Sequence, residues 1–314
     1  MTLVERLRAK AHLTIHVCAP SDVCRPGLAR NLWGDNWVKE SLTEEFRRMG
    51  HTVLAARPDQ QPPDVLIHLS GGEIEYVLGK RIEQFAPDTY KVVWVYSHPE
   101  KPTPTNLRGY HRVFCCSVSF TEKLRRMGYA AEPLLGATNK RPLPSPLTYD
   151  VVFVGNNRGP SGKDGRKVIH DLVRSGIRGR RVGIWGNAWE GHIPADWYGG
   201  RYYPYPELAK LYASSKVCLQ DHRPEMAREG FVSVKLFDIA ASGSLPISDE
   251  NAGVRGVFKG GVPEYRDAQH LGELIEYYCT HEAERLSCIA RAQETALACP
   301  WRIRAERLLR EVRA

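Results

Sequence analysis

GFVSVKLFDIAASGSLPISD, residues 230–249, is the stretch on which the fold turns. Val234, Leu236, Phe237, Ile239 and Ala240 recur at helical spacing and predict a helix. Ser242-Gly243-Ser244 ends it, because glycine closes a helix in the left-handed conformation without steric cost. Leu245 to Ser248 then reads as a short buried strand that runs into Asp249. Inside the helix, Lys235 and Asp238 stand three residues apart on one side of a turn. A cation and a carboxylate thus sit at a helix start, beside small residues that let backbones come close.

This helix-into-strand unit is one period of an alternation that runs along the chain. In the first half LTIHVCA (13–19), HTVLAAR (51–57), DVLIHLS (64–70), KVVWVYSH and RVFCCS read as strands. Between them lie helical patterns at WVKESLTEEFRRMG, GEIEYVLGKRIEQF and SFTEKLRRMG. Val38, Leu42, Phe46 and Met49 keep the helical period, and Gly50 is placed to close that helix. NKRPLPSPLTYD (139–150) breaks the pattern as a proline-rich linker. The alternation then restarts with YDVVFVGNNRG, KVIHDLVRSG, RRVGIWGNAW, PELAKLYASS, KVCLQDHR and the opening stretch. From Ala268 onward the chain is helical. Apolar strands alternating with helices mean a parallel sheet covered on both faces. A chain of 314 residues suits two such domains better than one core. The expected architecture is α/β, with domains 1–142 and 143–314 and a ligand in the cleft between them. Loops at the carboxyl ends of strands carry function in such sheets, which singles out Pro20 to Asn36, Ser70 to Glu73 and Ser97 to Asn106.

Composition narrows the classes. The chain is 42% hydrophobic and 25% charged, the balance of a globular protein. Its apolar runs are strand-sized, too short to span a bilayer. MTLVERLRAKAHLTIHVCAP lacks the apolar core of a signal peptide, so a cytoplasmic protein is expected. The eight cysteines include no C-x-x-C pair, and four (Cys18, Cys115, Cys116, Cys218) lie in strand-like runs, so they read as buried thiols. The net charge of +8 is spread over both halves without a basic block, which argues against nucleic acid. It favours anionic partners such as a nucleotide phosphate. With Arg6, Arg8 and Lys10 near the start, it also suits peripheral contact with an anionic inner membrane surface.

Three segments carry candidate chemistry. After the strand DVVFV, the loop holding Gly155, Asn156, Arg158 and Lys163 can bring backbone amides and cations to an anion. RRVGIWGNAW ends a strand at Trp185 and Gly186, where an indole either meets a nucleobase or closes the core. LQDHRPEMAREG places Asp221 and His222 at a strand end, expected to face the cleft. Glu225, Glu229 and Gly230 follow, ahead of a helix start at Ser233 and Val234.

In that context the order DHRPEMAREGFVSVKLFDIAASGSLPISD resembles the C-terminal domain of GT-B glycosyltransferases, CgeB-like and family-4-like enzymes in particular. WGDNW (33–37), SHPE (97–100), FVGNNRG, IWGNAWEGHIP and VPEYRDAQHLGELIEYY recur in the same order, so the resemblance covers the chain from about residue 30 onward. It implies two Rossmann-like domains with a deep interdomain cleft and C-terminal helices, an acceptor domain first and a donor domain second. It further implies that Asp238 binds the ribose of a nucleotide-sugar donor. The amides around Ser233 and Val234 would face its diphosphate, and Lys235 or the Arg158–Lys163 loop would offset the charge. No cofactor or metal is implied beyond the donor. Family-4-like enzymes carry two glutamates separated by seven residues. Counting back from Asp238 reaches Gly230, so Glu229, Glu225 and Asp221 compete for the donor sugar. Asp35 and His98 stand where a base for an inverting enzyme would be found; in a retaining enzyme, slightly favoured by the resemblance, both only position.

The expected activity is metal-independent transfer of a sugar to a hydroxyl, on a glycan or lipid-linked precursor. A nucleotide-sugar epimerase and a catalytically silent nucleotide-binding subunit are the alternatives. A dehydrogenase is disfavoured by the missing dinucleotide glycine fingerprint.

Overall fold

Twelve strands among the described residues form two six-stranded sheets, and every strand pair is parallel. The structure is a computed structural model that describes residues 1–313 except 25–26, 56–57, 59, 70–73, 75–77 and 158–164.

The first sheet holds β1 (Thr14–Cys18), β2 (Thr52–Val53), β3 (Val65–Leu69), β4 (Tyr90–Val95), β5 (Arg112–Cys115) and β6 (Ala131–Pro133), in the order β2-β1-β3-β4-β5-β6. Every residue of β3 and β4 is buried, as expected of strands covered on both faces. The helix Gly34–Arg48 packs Val38, Leu42 and Phe46 inward and is followed by Gly50 at φ +85°. The helix Val118–Arg126 is followed by Gly128 at φ +89° in the same manner. Of the helix expected over GEIEYVLGKRIEQF (72–85), residues 72–73 and 75–77 lie outside the described residues. The described part is not one helix, because Gly79 stands at φ +65° and Ile82–Gln84 is a single 3₁₀ turn.

The second sheet holds β7 (Tyr149–Val154), β8 (Val182–Trp185), β9 (Tyr198–Gly200), β10 (Ser215–Gln220), β11 (Leu245–Asp249) and β12 (Glu264–Tyr265), in the order β12-β11-β10-β7-β8-β9. The opening stretch folds as the sequence predicts: a helix at Val234–Ser242, Gly243 at φ +89°, then β11. Leu236 to Ser242 are all buried, with Ile239 packed among Val152, Trp185 and Cys218 of the sheet and Phe237 against Phe258, so the helix is enclosed on more than one face.

By contacts the chain divides into Met1–Gly136 with Pro300–Ala314, and Ala137–Cys299. The sequence-based division at 142/143 assigned the whole helical tail to the second domain. The last helix, Trp301–Arg313, instead completes the first unit. Trp301 is buried edge-on against Trp94 of β4, and the Arg304 guanidinium donates to the carbonyls of Leu135 and Gly136. All eight cysteines are free thiols, and the four in strand-like runs are buried. Among the described residues no helix is long and apolar enough to cross a membrane.

Candidate functional site

In the second sheet the chain adds β8 and β9 on one side of β7, then β10, β11 and β12 on the other. Open parallel sheets bind ligands outside the carboxyl ends of the strands at such a reversal. The ends of β7 and β10 therefore define the place to look.

Gly155 follows β7. Its N–H donates to the Trp185 carbonyl at 2.8 Å, and its own carbonyl accepts from Trp189 Nε1 at 2.8 Å. Two cations converge on this glycine: a Cβ placed there would lie 3.2 Å from both Lys235 Nζ and Arg166 Nη2. Lys235 Nζ donates to the Val154 carbonyl at 2.5 Å and lies over the Phe153 ring. Arg166 donates to Asn156 O at 3.2 Å and to Asp221 Oδ1 at 2.9 Å. The helices that begin at Lys167 and Val234 have neither a side-chain cap nor an acidic residue in the first turn. Among the described residues, their own first turns offer no carboxylate to these positive dipole ends. The arrangement brings two cations to two helix starts, chemistry suited to a phosphate group, while the loop amides of Gly155, Gly186 and Asn187 are bonded within the protein. Arg166 was not singled out from the sequence, because one arginine before a helix reads as a solvated cation. Arg158 and Lys163, which were, lie outside the described residues.

Several expected site residues prove to hold the loops together. Asn156 Oδ1 accepts from the Asn187 amide at 2.9 Å. Gly186 has φ +147°, and a Cβ there would lie 2.1 Å from the Gly155 carbonyl oxygen, so the loops after β7 and β8 touch backbone to backbone. Trp185 offers no open face for a nucleobase. It is buried, edge-on to Tyr149 and Tyr203, and covers Gly183 and Gly199.

Asp221 and His222 were expected to face outward; both are buried instead. Asp221 forms the ion pair with Arg166. His222 Nδ1 lies 2.8 Å from Asp249 Oδ1, and its Nε2 receives the Ser233 amide at 3.1 Å. That amide is therefore engaged within the protein, which corrects its expected place at a diphosphate. Burial works to raise the Asp249 carboxyl, but the His222 hydrogen bonds outweigh it and hold the group below its ordinary range. Glu229 is half-buried at the end of the helix Pro224–Arg228, with Glu225 in that helix's first turn. Gly230, at φ +68°, presses its carbonyl against Gly253, where a Cβ would lie 2.1 Å away.

Asp238 departs furthest from its expected role as an open ribose ligand. It is 3% exposed, and its Oδ1 accepts from the Thr138 hydroxyl at 2.6 Å. Burial raises its carboxyl above the ordinary range, with Lys140, Thr138, Tyr205 and Lys235 opposing in part. Lys235, three residues earlier, instead reaches the end of β7, so the i, i+3 pair does not share one environment.

In the first unit, Asp35 is also buried, with Oδ2 accepting from the Ser21 amide at 2.7 Å; it pins the turn after β1. His98, after β4, is partly exposed and left-handed at φ +55°, a region few non-glycine residues occupy, and its Nδ1 lies 2.7 Å from Glu100 Oε1.

Residues 163–310 match the model of a glycosyl transferase-like family. Among solved structures, sucrose-phosphate synthase from Thermosynechococcus elongatus is similar at TM-score 0.71, with 12% identity over 96% of this chain and 98% of that one. An alpha-glucosyltransferase in complex with UDP and a 13-mer DNA follows at 0.65, with 13% identity, 96% and 99%. T4 phage BGT in complex with its UDP-glucose substrate gives 0.64, with 11% identity, 96% and 100%. No curated protein sequence matches the chain. The two-sheet fold is thus shared with GT-B glycosyltransferases, and the match to a glycosyl transferase-like family lies mostly in the second unit. The same fold appears in a complex with DNA, so the exclusion of nucleic acid drawn from the charge distribution is not supported by it.

Proposed function

We propose that this protein moves a sugar from a nucleoside-diphosphate sugar to a hydroxyl, with the donor held on the second unit. The observation that carries this reading is the pair Lys235 and Arg166 over Gly155, at the strand reversal. A departing nucleoside diphosphate is a polyanion, and preorganised cations and helix starts stabilise its developing charge. Val234 at the helix start faces the diphosphate, with Arg158 or Lys163 as further cations. Gly155, Asn156 and Gly186 shape the loops beneath it, since the Gly155 and Gly186 amides are bonded to the Trp185 and Gly200 carbonyls. Glu229, beside Gly230, is the candidate for the donor sugar. A ribose contact by Asp238 requires the Thr138 hydroxyl to give way.

Structures of this fold hold UDP or UDP-glucose, which makes UDP the first donor base to test. The motifs shared with CgeB-like and family-4-like enzymes favour retention and a glycan or lipid-linked acceptor. DNA in a similar structure makes DNA the second acceptor to try. Under retention the departing phosphate takes the acceptor proton and His98 positions; under inversion His98, with its ring oriented by Glu100, is the better base than buried Asp35.

A thermal-shift panel of nucleoside diphosphates and nucleotide sugars, run in EDTA and then in magnesium, tests the reading. Stabilisation by one nucleotide that persists in EDTA supports a metal-independent donor site. A shift that appears only with magnesium removes the metal-independent part. No shift with any nucleotide removes the donor site altogether. Conversion of the donor sugar without acceptor would favour an epimerase.

A further inference from the structure

The His222 side chain is fully buried, 0% exposed, where three elements meet. It follows β10; its backbone N–H donates to both Asp249 oxygens, at 3.1 and 3.2 Å, at the end of β11. The Ser248 hydroxyl donates to Asp249 Oδ1 at 3.0 Å as well. Across the ring, Nε2 lies 3.1 Å from the Ser233 amide. An amide only donates, so Nε2 is the acceptor and the ring proton sits on Nδ1, toward Asp249. Carboxylate, imidazole and amide form a line whose far end is the residue before the helix Val234–Ser242. The Ser233 side chain makes no capping bond of its own, so the histidine takes the place of a cap. Two residues further on, Lys235 leaves this helix for the carboxyl end of β7.

We infer that His222 is a positioning residue for the donor diphosphate: it fixes the helix start from which Lys235 and the first-turn amides reach the ligand. This rests on the diphosphate reading of the site above. The histidine touches no ligand. Its effect passes through the Ser233 amide, and Asp249 sets the tautomer that makes this possible.

Two amide side chains separate the halves of the device. Asparagine can reproduce the Nδ1 contact with Asp249 but is too short to accept from Ser233; glutamine reaches Ser233. Calorimetric titration with UDP, GDP and ADP, and with the matching nucleosides, is expected to give a diphosphate Kd about 10-fold weaker in His222→Asn. Nucleoside affinity should be unchanged, and His222→Gln should recover most of the loss. If the wild type binds no nucleoside diphosphate, the donor site and this role fall together. If Lys235→Ala weakens the diphosphate but His222→Asn binds like wild type, only the histidine's role is lost. Equal losses for nucleoside and diphosphate would also overturn it. Nitrogen-15 spectra of the wild-type imidazole need no variant to fold: an Nδ1–H tautomer for His222 supports the relay, and an Nε2–H tautomer overturns it.

Discussion

Lys235 and Asp238 are one helical turn apart and do different work. The ammonium reaches the carbonyl that ends β7 and shares Gly155 with Arg166, where the proposed diphosphate would gain a charge-assisted contact. Losing one such contact is worth about 1.5–3 kcal/mol. Lys235→Ala should therefore weaken nucleoside diphosphate binding by about 10- to 100-fold and leave the nucleoside alone. Equal losses for both in titration calorimetry would take the lysine out of the phosphate site. The buried carboxylate makes a prediction about folding instead. Its folded-state pKa is raised, so its stabilising contribution is complete below the ordinary carboxylate range. That contribution is lost as pH rises through the raised value. Asp238→Asn keeps an acceptor for Thr138 and removes the charge. Denaturation across this range should show the variant gaining on the wild type as pH rises, and a pH-independent difference would refute the assignment. The sequence placed both residues on the correct element. Which face each side chain serves depended on Thr138, a hundred positions away, and no local pattern carries that.

At the scale of elements, the strands with continuous apolar residues were legible because burial on both faces removes polar alternation. β6 and β9 were not, each being three residues at a sheet edge, with Pro133 in one and Gly199 and Gly200 in the other. Arg166 and the His222 line were hidden for a related reason: their partners come from separate strand ends, and an isolated arginine or histidine looks solvated. The loops that bring these ends together depend on backbone contact. Gly186→Ala would force a Cβ to within 2.1 Å of the Gly155 carbonyl at a positive φ. A loss of about 1–3 kcal/mol is expected from the backbone strain alone. Gly256, inside the helix Ala252–Phe258, has no atom within 4 Å of a built Cβ. Gly256→Ala should raise stability by about 0.4–1 kcal/mol, mainly through the unfolded chain. Thermal denaturation of the pair separates a glycine required by close approach from one that is not; a Gly186→Ala as stable as the wild type would mean the two loops are not in backbone contact.

Across the whole molecule, the chain builds the first sheet, then the second unit, and returns at Pro300 to finish the first. Periodicity in WRIRAERLLREV announces a helix but is silent about which sheet it covers, so the sequence reading left it with its neighbours. The structure gives the helix a definite partner: Trp301, Leu308, Leu309 and Val312 are buried, and Arg304 takes up two carbonyls that close the first unit. Truncating a buried tryptophan to alanine loses its transfer energy and leaves a cavity, about 3–5 kcal/mol in all. That loss should fall on the unit the side chain completes. In Trp301→Ala, hydrogen exchange should accelerate in β1, β3 and β4, while β7, β10 and β11 keep their protection. UDP, if it binds as proposed, should still stabilise the second unit. Faster exchange confined to β7, β10 and β11 would mean that the last helix belongs with the donor unit after all. Uniform acceleration would mean that the two units unfold as one.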